Sequence, residues 1–401
     1  MSVKGLIRLL LLPLSLLAGL PAGGAQPADP VRIGVTGPYS GSNGVIGLSM
    51  REGIRIAAAQ INAEGGVLGR RLVLVERDDQ SSNERGAQIA QTLIQEEGIV
   101  AAVGLVSTGV ALASQHLYQR ARIPMLTAVA GGSLITRQFQ PPEHLDNFIF
   151  RTAPSDTLHA RRMVEEAVNG LHAKRLAIFH DATNYGQLGR DDLLFALQAR
   201  QLQPAAVERL PQHDAEMLAA LHRVHQAGAD ALLVYGSGAG LARIASANAK
   251  LGLRLPLIGS WPFAVPGVLE GAERTAEGVR IPQSFIPAGS QDRRQAFLEA
   301  WRRTTGTDRI PVPPAAAQGY DALLLLAAAI RQAGSTEGDR IRDALENLRT
   351  PVEGVVMIYD RPFSRDNHET FTHCRQLAMG EVRQGQVMFA YDEERKRATR
   401  Q

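Results

Sequence analysis

Cysteine is nearly absent from this sequence: among 401 residues only Cys374 carries a thiol. No intrachain disulfide can form, so the fold must rest on its core rather than on cross-links. An excess of one charge is also missing. Lys and Arg total 43 against 40 Asp and Glu, which lacks the basic surplus that marks a nucleic-acid binder. Aromatic residues make up 5% and tryptophan occurs twice, so a tryptophan in a loop is a marked position. A membrane-spanning helix needs roughly 20 apolar residues, and the run from Leu9 to Leu20 is too short for one.

Enzyme signatures are missing as well. Gly236-Ser237-Gly238-Ala239-Gly240 follows a strand pattern, but its spacing is not that of a dinucleotide fingerprint. The next strand ends in Gly259-Ser260, with no acid for a ribose hydroxyl. His222 and His225 share a helix without a third metal ligand, and His213-Asp214 with Glu216 reads as a charged helix start. His373-Cys374 would need a base and oxyanion donors brought to it by the fold, and no single loop joins a nucleophile to a base. A non-enzymatic chain without metal or cofactor is expected.

What is present begins at the N-terminus. Lys4 and Arg8 precede Leu9 to Leu20, and Pro21-Ala22-Gly23-Gly24-Ala25 follows. A positive start, a short apolar core and small residues at the exit describe a secretory signal peptide over residues 1–25. A membrane anchor is the alternative. Without a cysteine at the junction, lipid attachment through a thiol is excluded. Removing Lys4 and Arg8 with this segment leaves 41 basic against 40 acidic residues.

From Val31 onward, strand and helix patterns alternate. Val31 to Val35 is a short apolar strand ending in Thr36-Gly37-Pro38-Tyr39-Ser40-Gly41, a cluster of turn formers. Met50, Ile54, Ala57, Ala58 and Ile61 follow with helical spacing, and Asn62-Ala63-Glu64-Gly65-Gly66 supplies a glycine exit. Leu72 to Val75 and Ile99 to Val103 are further strands, and Ser81 to Glu84 has capping-box spacing ahead of a helix. Later strands are expected near residues 124–127, 148–151, 176–180, 205–210, 231–235, 255–259 and 278–281, with helices between them and over 291–304 and 318–333. Such alternation implies α/β architecture with parallel sheets covered on both faces. Ligands then bind off the carboxyl ends of the strands.

Gly37-Pro38-Tyr39-Ser40-Gly41, then Ile61-Asn62-Ala63-Glu64-Gly65-Gly66-Val67-Leu68-Gly69-Arg70 and Asp78-Asp79, resemble the type I periplasmic solute-binding proteins of ABC importers. Phe150-Arg151-Thr152, His180-Asp181 with Tyr185-Gly186, Gln318-Gly319-Tyr320-Asp321 and Pro362-Phe363-Ser364 with His368 fit the same pattern. The branch is that of the leucine/isoleucine/valine-binding proteins, and the likeness runs from Val31 to Phe389. It implies two doubly wound parallel-sheet lobes joined by a three-strand hinge, crossed near Arg151, Ile281 and Val355. Lobe 1 would hold residues 26–151 and 282–355, and lobe 2 residues 152–281 and 356–401. It also implies a periplasmic monomer that hands a small molecule to an inner-membrane ABC permease.

Two loops of the first sheet carry the expected site. Leu105-Val106-Ser107-Thr108-Gly109 and Ala128-Val129-Ala130-Gly131-Gly132-Ser133 each offer backbone N–H groups and a hydroxyl at a helix start, suited to a carboxylate. Ordinary capping by Ser107, Thr108 or Ser133 is the plainer alternative. The resemblance places Ser107 or Thr108 on the carboxylate-binding serine and Val129 on a backbone contact. It places Gly131 where amino-acid binders usually carry threonine. It also makes Tyr39, Tyr185 and Tyr235 ligand-facing, with Ala130 and Ser133 in the same loop. After the strand at Gly259 stand Trp261 and Phe263, where amino-acid binders commonly hold the ammonium with an acid. A buried ammonium without a partner is costly, so an apolar or aromatic carboxylate is the expected ligand. A true amino acid or amide, a periplasmic sensor role and a periplasmic hydrolase are the alternatives.

Overall fold

A computed structural model describes residues 29–287 and 292–398; the expected signal peptide lies outside the described residues. The first sheet is built from β1 (Val31–Gly37), β2 (Leu72–Asp78), β3 (Ala101–Gly104), β4 (Met125–Thr127) and β5 (Ile149–Arg151). Between them run α1 (Gly44–Ala63), α2 (Asn83–Gln95), α3 (Thr108–Ala121) and the single turn α4 (Leu134–Arg137). The strand order is β2-β1-β3-β4-β5, parallel throughout. β3 is buried at every residue, because helices cover both faces of a parallel sheet. Gly65 and Gly66 take φ of 96° and 79° at the end of α1, as the glycine exit requires. The expected cap at Ser81 moves by one residue. Ser82 caps α2 by accepting from the Arg85 N–H, while Ser81 sits in the turn with its N–H on Asp79.

The second sheet takes β6 (Leu176–His180), β7 (Ala206–Arg209), β8 (Ala231–Tyr235), β9 (Leu257–Gly259) and β10 (Arg280–Gln283). Its helices so far are α5 (Asp156–Glu165), α6 (Asn184–Gln198), α7 (Asp214–Gln226), α8 (Ala239–Lys250) and α9 (Pro266–Ala272). After β10 the chain returns to the first layer with α10 (Asp292–Thr305), α11 (Pro313–Ala333) and α12 (Gly338–Glu346). α11 packs on α1 and on the backs of β3 and β4, which is why Leu325, Leu326, Ala329 and Ile330 have no exposure. A small ribbon, β11 (Val352–Glu353) with β12 (Ile358–Tyr359), follows. β13 (Ala378–Arg383), β14 (Gln386–Phe389) and the terminal α13 (Asp392–Ala398) complete the second layer.

The order of that sheet is β14-β13-β10-β9-β8-β6-β7. Its β13 and β14 edge is antiparallel, which the alternating pattern did not predict. Gln384 and Gly385 take φ of 52° and 73°, the pair of positive values that a tight two-residue hairpin needs.

The segment after Val355, where the third passage between the sheets is expected, keeps contacts with the first sheet. Phe363 and His368 still lie on the first sheet, with the His368 ring stacked on Phe150 at 3.9 Å and Phe363 edge-on to it. A strand-like exchange comes at the end of β5. Arg151 N donates to His368 O, and Thr370 N donates to Arg151 O. An aromatic cluster on β5 therefore holds the chain on the first layer until Glu369.

Candidate functional site

The carboxyl ends of the two sheets face one another across a cavity of about 330 Å³. From the first sheet it is lined by Ser107, Thr108 and Gly109 at the start of α3, by Gly131, and by Asn43, Ser81 and Asn83. From the second come Thr183, Asn184 and Tyr185 at the start of α6, then Ser237 and Trp261. Ile46, Val106 and Pro262 supply apolar wall. Among the described residues that line it, none carries a charge.

The polar groups nearest the cavity are prepared for a partner. Ser107 is the N-cap residue of α3, yet its side chain makes no cap hydrogen bond. Thr108 is 3% exposed, and its Oγ1 has no partner among the described residues. The first N–H groups of α3 point out of the helix without intrahelical acceptors, which favours an anion. Across the cavity the Tyr185 hydroxyl is likewise buried, close to Ser260 and Tyr235 but without a well-formed hydrogen bond among the described residues. Burial, then the nearby Asp156 charge, raises the Tyr185 phenol well above its ordinary range, so it stays a neutral donor. Plain capping accounts for neither Ser107 nor Thr108.

The second expected loop behaves differently. Ala128 N donates to Gly104 O, and Val129 and Ala130 N both donate to Leu105 O, so these three amides are already used. α4 is one turn of four residues, and its Ser133 is buried without a side-chain cap bond. The loop therefore forms a wall through Gly131 rather than an array of amides running from Val129.

Of the aromatic residues named from the sequence, Tyr185 and Trp261 reach the cavity. Tyr235 has no exposure, packs on Tyr185 at 4.9 Å and donates to Asp156 Oδ1 at 2.8 Å. Phe263 is fully buried in the core under Gly259. The Trp261–Ala264 turn is a 3₁₀ helix that sends the two rings in different directions. Tyr39 is half-buried at the outer rim, where its N–H donates to Asp78 and Arg51 lies over its ring at 4.6 Å. Val129 borders a second, smaller cavity, and Ala130 belongs to the first-sheet core. His222 and His225 are exposed on α7.

The residue that sequence reasoning missed is Asp156, the first of α5. It is fully buried directly behind Gly131: a Cβ on Gly131 would stand 2.3 Å from Asp156 Oδ1. Its Oδ2 has no partner among the described residues, and burial pushes its pKa up to about 7 against the Tyr235 hydrogen bond that lowers it. Nearby, Arg151 has no exposure, donates to Gly131 O at 2.8 Å and Gly132 O at 2.7 Å, and pairs with Glu369. The guanidinium thus ties the cavity loop to the chain passage between the sheets. The available signal was the Phe150-Arg151-Thr152 motif, whose buried arginine implies acids close in space.

A family profile described as periplasmic binding protein matches residues 30–386. Among characterised relatives, a Leu/Ile/Val-binding protein homolog from Brucella melitensis is 25% identical over 81% of this chain and 85% of its own length. Among solved structures, a type 1 periplasmic binding protein from Bordetella pertussis superposes with a TM-score of 0.79 at 25% identity, covering 90% of this chain and 99% of that one. A solute-binding protein of an ABC transporter from Rhodopseudomonas palustris, solved with p-hydroxybenzoic acid, gives 0.76 at 19% identity over 90% and 95%. That last likeness is one of fold.

Proposed function

The chain belongs to the periplasmic binding protein family, in the branch that serves branched-chain amino-acid ABC importers, and we propose that its ligand is a small apolar or aromatic monocarboxylate. The observation that carries this reading is the uncharged lining of the 330 Å³ cavity. A carboxylate needs no cation there, because the α3 N-terminus with Ser107 and Thr108 offers oriented donors. An ammonium would need an anion, and Trp261 follows the strand after which the resemblance leads one to expect an acid. The apolar part of the ligand would lie against Trp261, Val106 and Ile46. Capture in the periplasm, delivery to an inner-membrane permease and a monomeric state belong to the same proposal. So does a division into lobes of residues 29–151 with 284–287 and 292–369, and 152–283 with 370–398.

One observation favours a second reading, an α-amino acid as bound by relatives named for leucine, isoleucine and valine. Asp156 Oδ1 occupies the space that a side chain at Gly131 would fill, so a carboxylate stands where the resemblance puts a threonine. A modest local shift would bring it to an ammonium.

Thermal unfolding of the mature protein against organic acids, amino acids, amides and sugars tests both. A ligand that binds only the folded form at a thousandfold excess over Kd stabilises by about 4 kcal/mol. Large shifts with apolar monocarboxylates and none with leucine support the first reading; the reverse pattern supports the second. Trp261→Ala should then weaken the ligand by about 2–4 kcal/mol, as for a buried aromatic anchor.

A further inference from the structure

At the hinge end of the site lies a second cavity, of about 10 Å³, and Trp261 lines both. Its remaining walls converge from both layers: Val129 after β4, Pro154 and His159 from the start of α5, Ser284 after β10, and Pro314 and Gln318 on α11. Three of these are polar, and their hydrogen bonding is incomplete. His159 is 3% exposed, and its Nδ1 has no partner among the described residues. Burial, reinforced by Arg151, pushes its pKa down to about 3. The ring is therefore neutral, with one nitrogen donating and the other accepting. Gln318 Nε2 donates to Ser284 Oγ at 2.8 Å, which leaves the Ser284 hydroxyl hydrogen free to be given elsewhere.

We propose that this niche is the distal end of the ligand site, taking one neutral, hydroxyl-sized polar group at the end of the ligand remote from its carboxylate. His159 and Ser284 would be its hydrogen-bond partners, and the Trp261 indole the wall along which the ligand reaches it. The inference rests on the carboxylate reading of the main cavity. Its size sets the class: roughly 10–15 Å³ is the least that holds one water-sized oxygen, so a hydroxyl fits and a methyl ether does not. Its charge sets the class as well. Among the described residues no cation lines the niche, so a second carboxylate would be desolvated without a partner.

The test is titration calorimetry on the mature protein with matched acids: benzoate, phenylacetate and phenylpropanoate, each unsubstituted, para-hydroxylated and para-methoxylated. In the series whose length fits, the hydroxylated acid should bind about tenfold or more tightly than the unsubstituted one, the scale of one good hydrogen bond at a buried site. The methoxylated acid should be the weakest. Ser284→Ala should reduce the hydroxyl advantage at least about threefold. Acids that bind in every series without regard to the hydroxyl would overturn the niche and leave the carboxylate receptor standing. Persistence of the full hydroxyl preference in Ser284→Ala would overturn the niche in the same way. Failure of every acid to bind the wild-type protein would overturn both.

Discussion

A methyl group at position 131 isolates the contact on which the cavity wall rests. The added Cβ would stand 2.3 Å from Asp156 Oδ1, 3.0 Å from its Cγ and 3.3 Å from Pro154 O. A free carboxylate would swing aside at little cost. Asp156 is not free: Oδ1 accepts from the Tyr235 hydroxyl at 2.8 Å, and its N–H donates to Gly131 O at 2.7 Å. Gly131→Ala must therefore either strain the loop or break the Tyr235 bond. Overpacking of this kind costs about 1–3 kcal/mol, and the lost hydrogen bond adds on the order of 1 kcal/mol. A destabilisation of about 2–4 kcal/mol is expected in urea unfolding followed by circular dichroism.

A double-mutant cycle sharpens the measurement. Asp156→Ala alone should cost about 1–3 kcal/mol, because it strands the buried Tyr235 hydroxyl. On that background the methyl has room, so Gly131→Ala should add less than about 1 kcal/mol. The coupling is then about 1–3 kcal/mol, the range of residues in direct contact. An equal cost for Gly131→Ala with and without Asp156, or a neutral Gly131→Ala, would refute the claim that this carboxylate holds the place of the side chain at 131.

Arg151→Met should cost about 3–5 kcal/mol in the same assay, since it leaves Glu369 and two loop carbonyls without their buried partner. The pKa of Asp156 is raised from 3.8 to about 7 in the folded protein, so the protonated form is favoured on folding. Its stabilisation is complete below about pH 4 and lost as pH rises through 7, and Asp156→Asn should flatten that part of the stability profile between pH 4 and 8. Proton exchange on binding, read by calorimetry in buffers of different ionisation enthalpy near pH 7, separates the two ligand classes. An ammonium beside Asp156 should expel a proton, whereas a carboxylate ligand should expel none from this group.

The fold was legible because its determinants are local. Strand 231–235 and helix 214–226 are found at the predicted residues, since an unbroken apolar run or a helical period is a property of adjacent residues. The antiparallel β13 and β14 edge was not, because alternation in the chain says nothing of strand direction once connections shorten to a hairpin. The contacts of the segment after Val355 were not legible either. His368 and Phe363 are held on the first layer by Phe150, far away in sequence, and no periodicity reports a contact of that kind. In the site, Ser107, Thr108 and Trp261 could be named because each follows a strand end, and Tyr185 because the family resemblance makes it ligand-facing. Phe263 could not be separated from Trp261, since a 3₁₀ turn decides which ring faces inward.

Asp156 was the most consequential omission, and the reason is electrostatic. The loop after β9 lacks an acid and carries Trp261, which remains true of the cavity lining. The acid stands elsewhere, in the space that the glycine at 131 leaves open. A small residue in a ligand loop is also a statement about its neighbour: here the space holds a carboxylate that burial keeps close to neutrality. A neutral Asp156 hydrogen-bonded to Tyr235 supports an uncharged pocket wall, and an ionised one supplies an anion for a cationic ligand. The protonation of this one buried side chain therefore bears on the choice between the two ligand classes, beside the uncharged lining of the cavity itself.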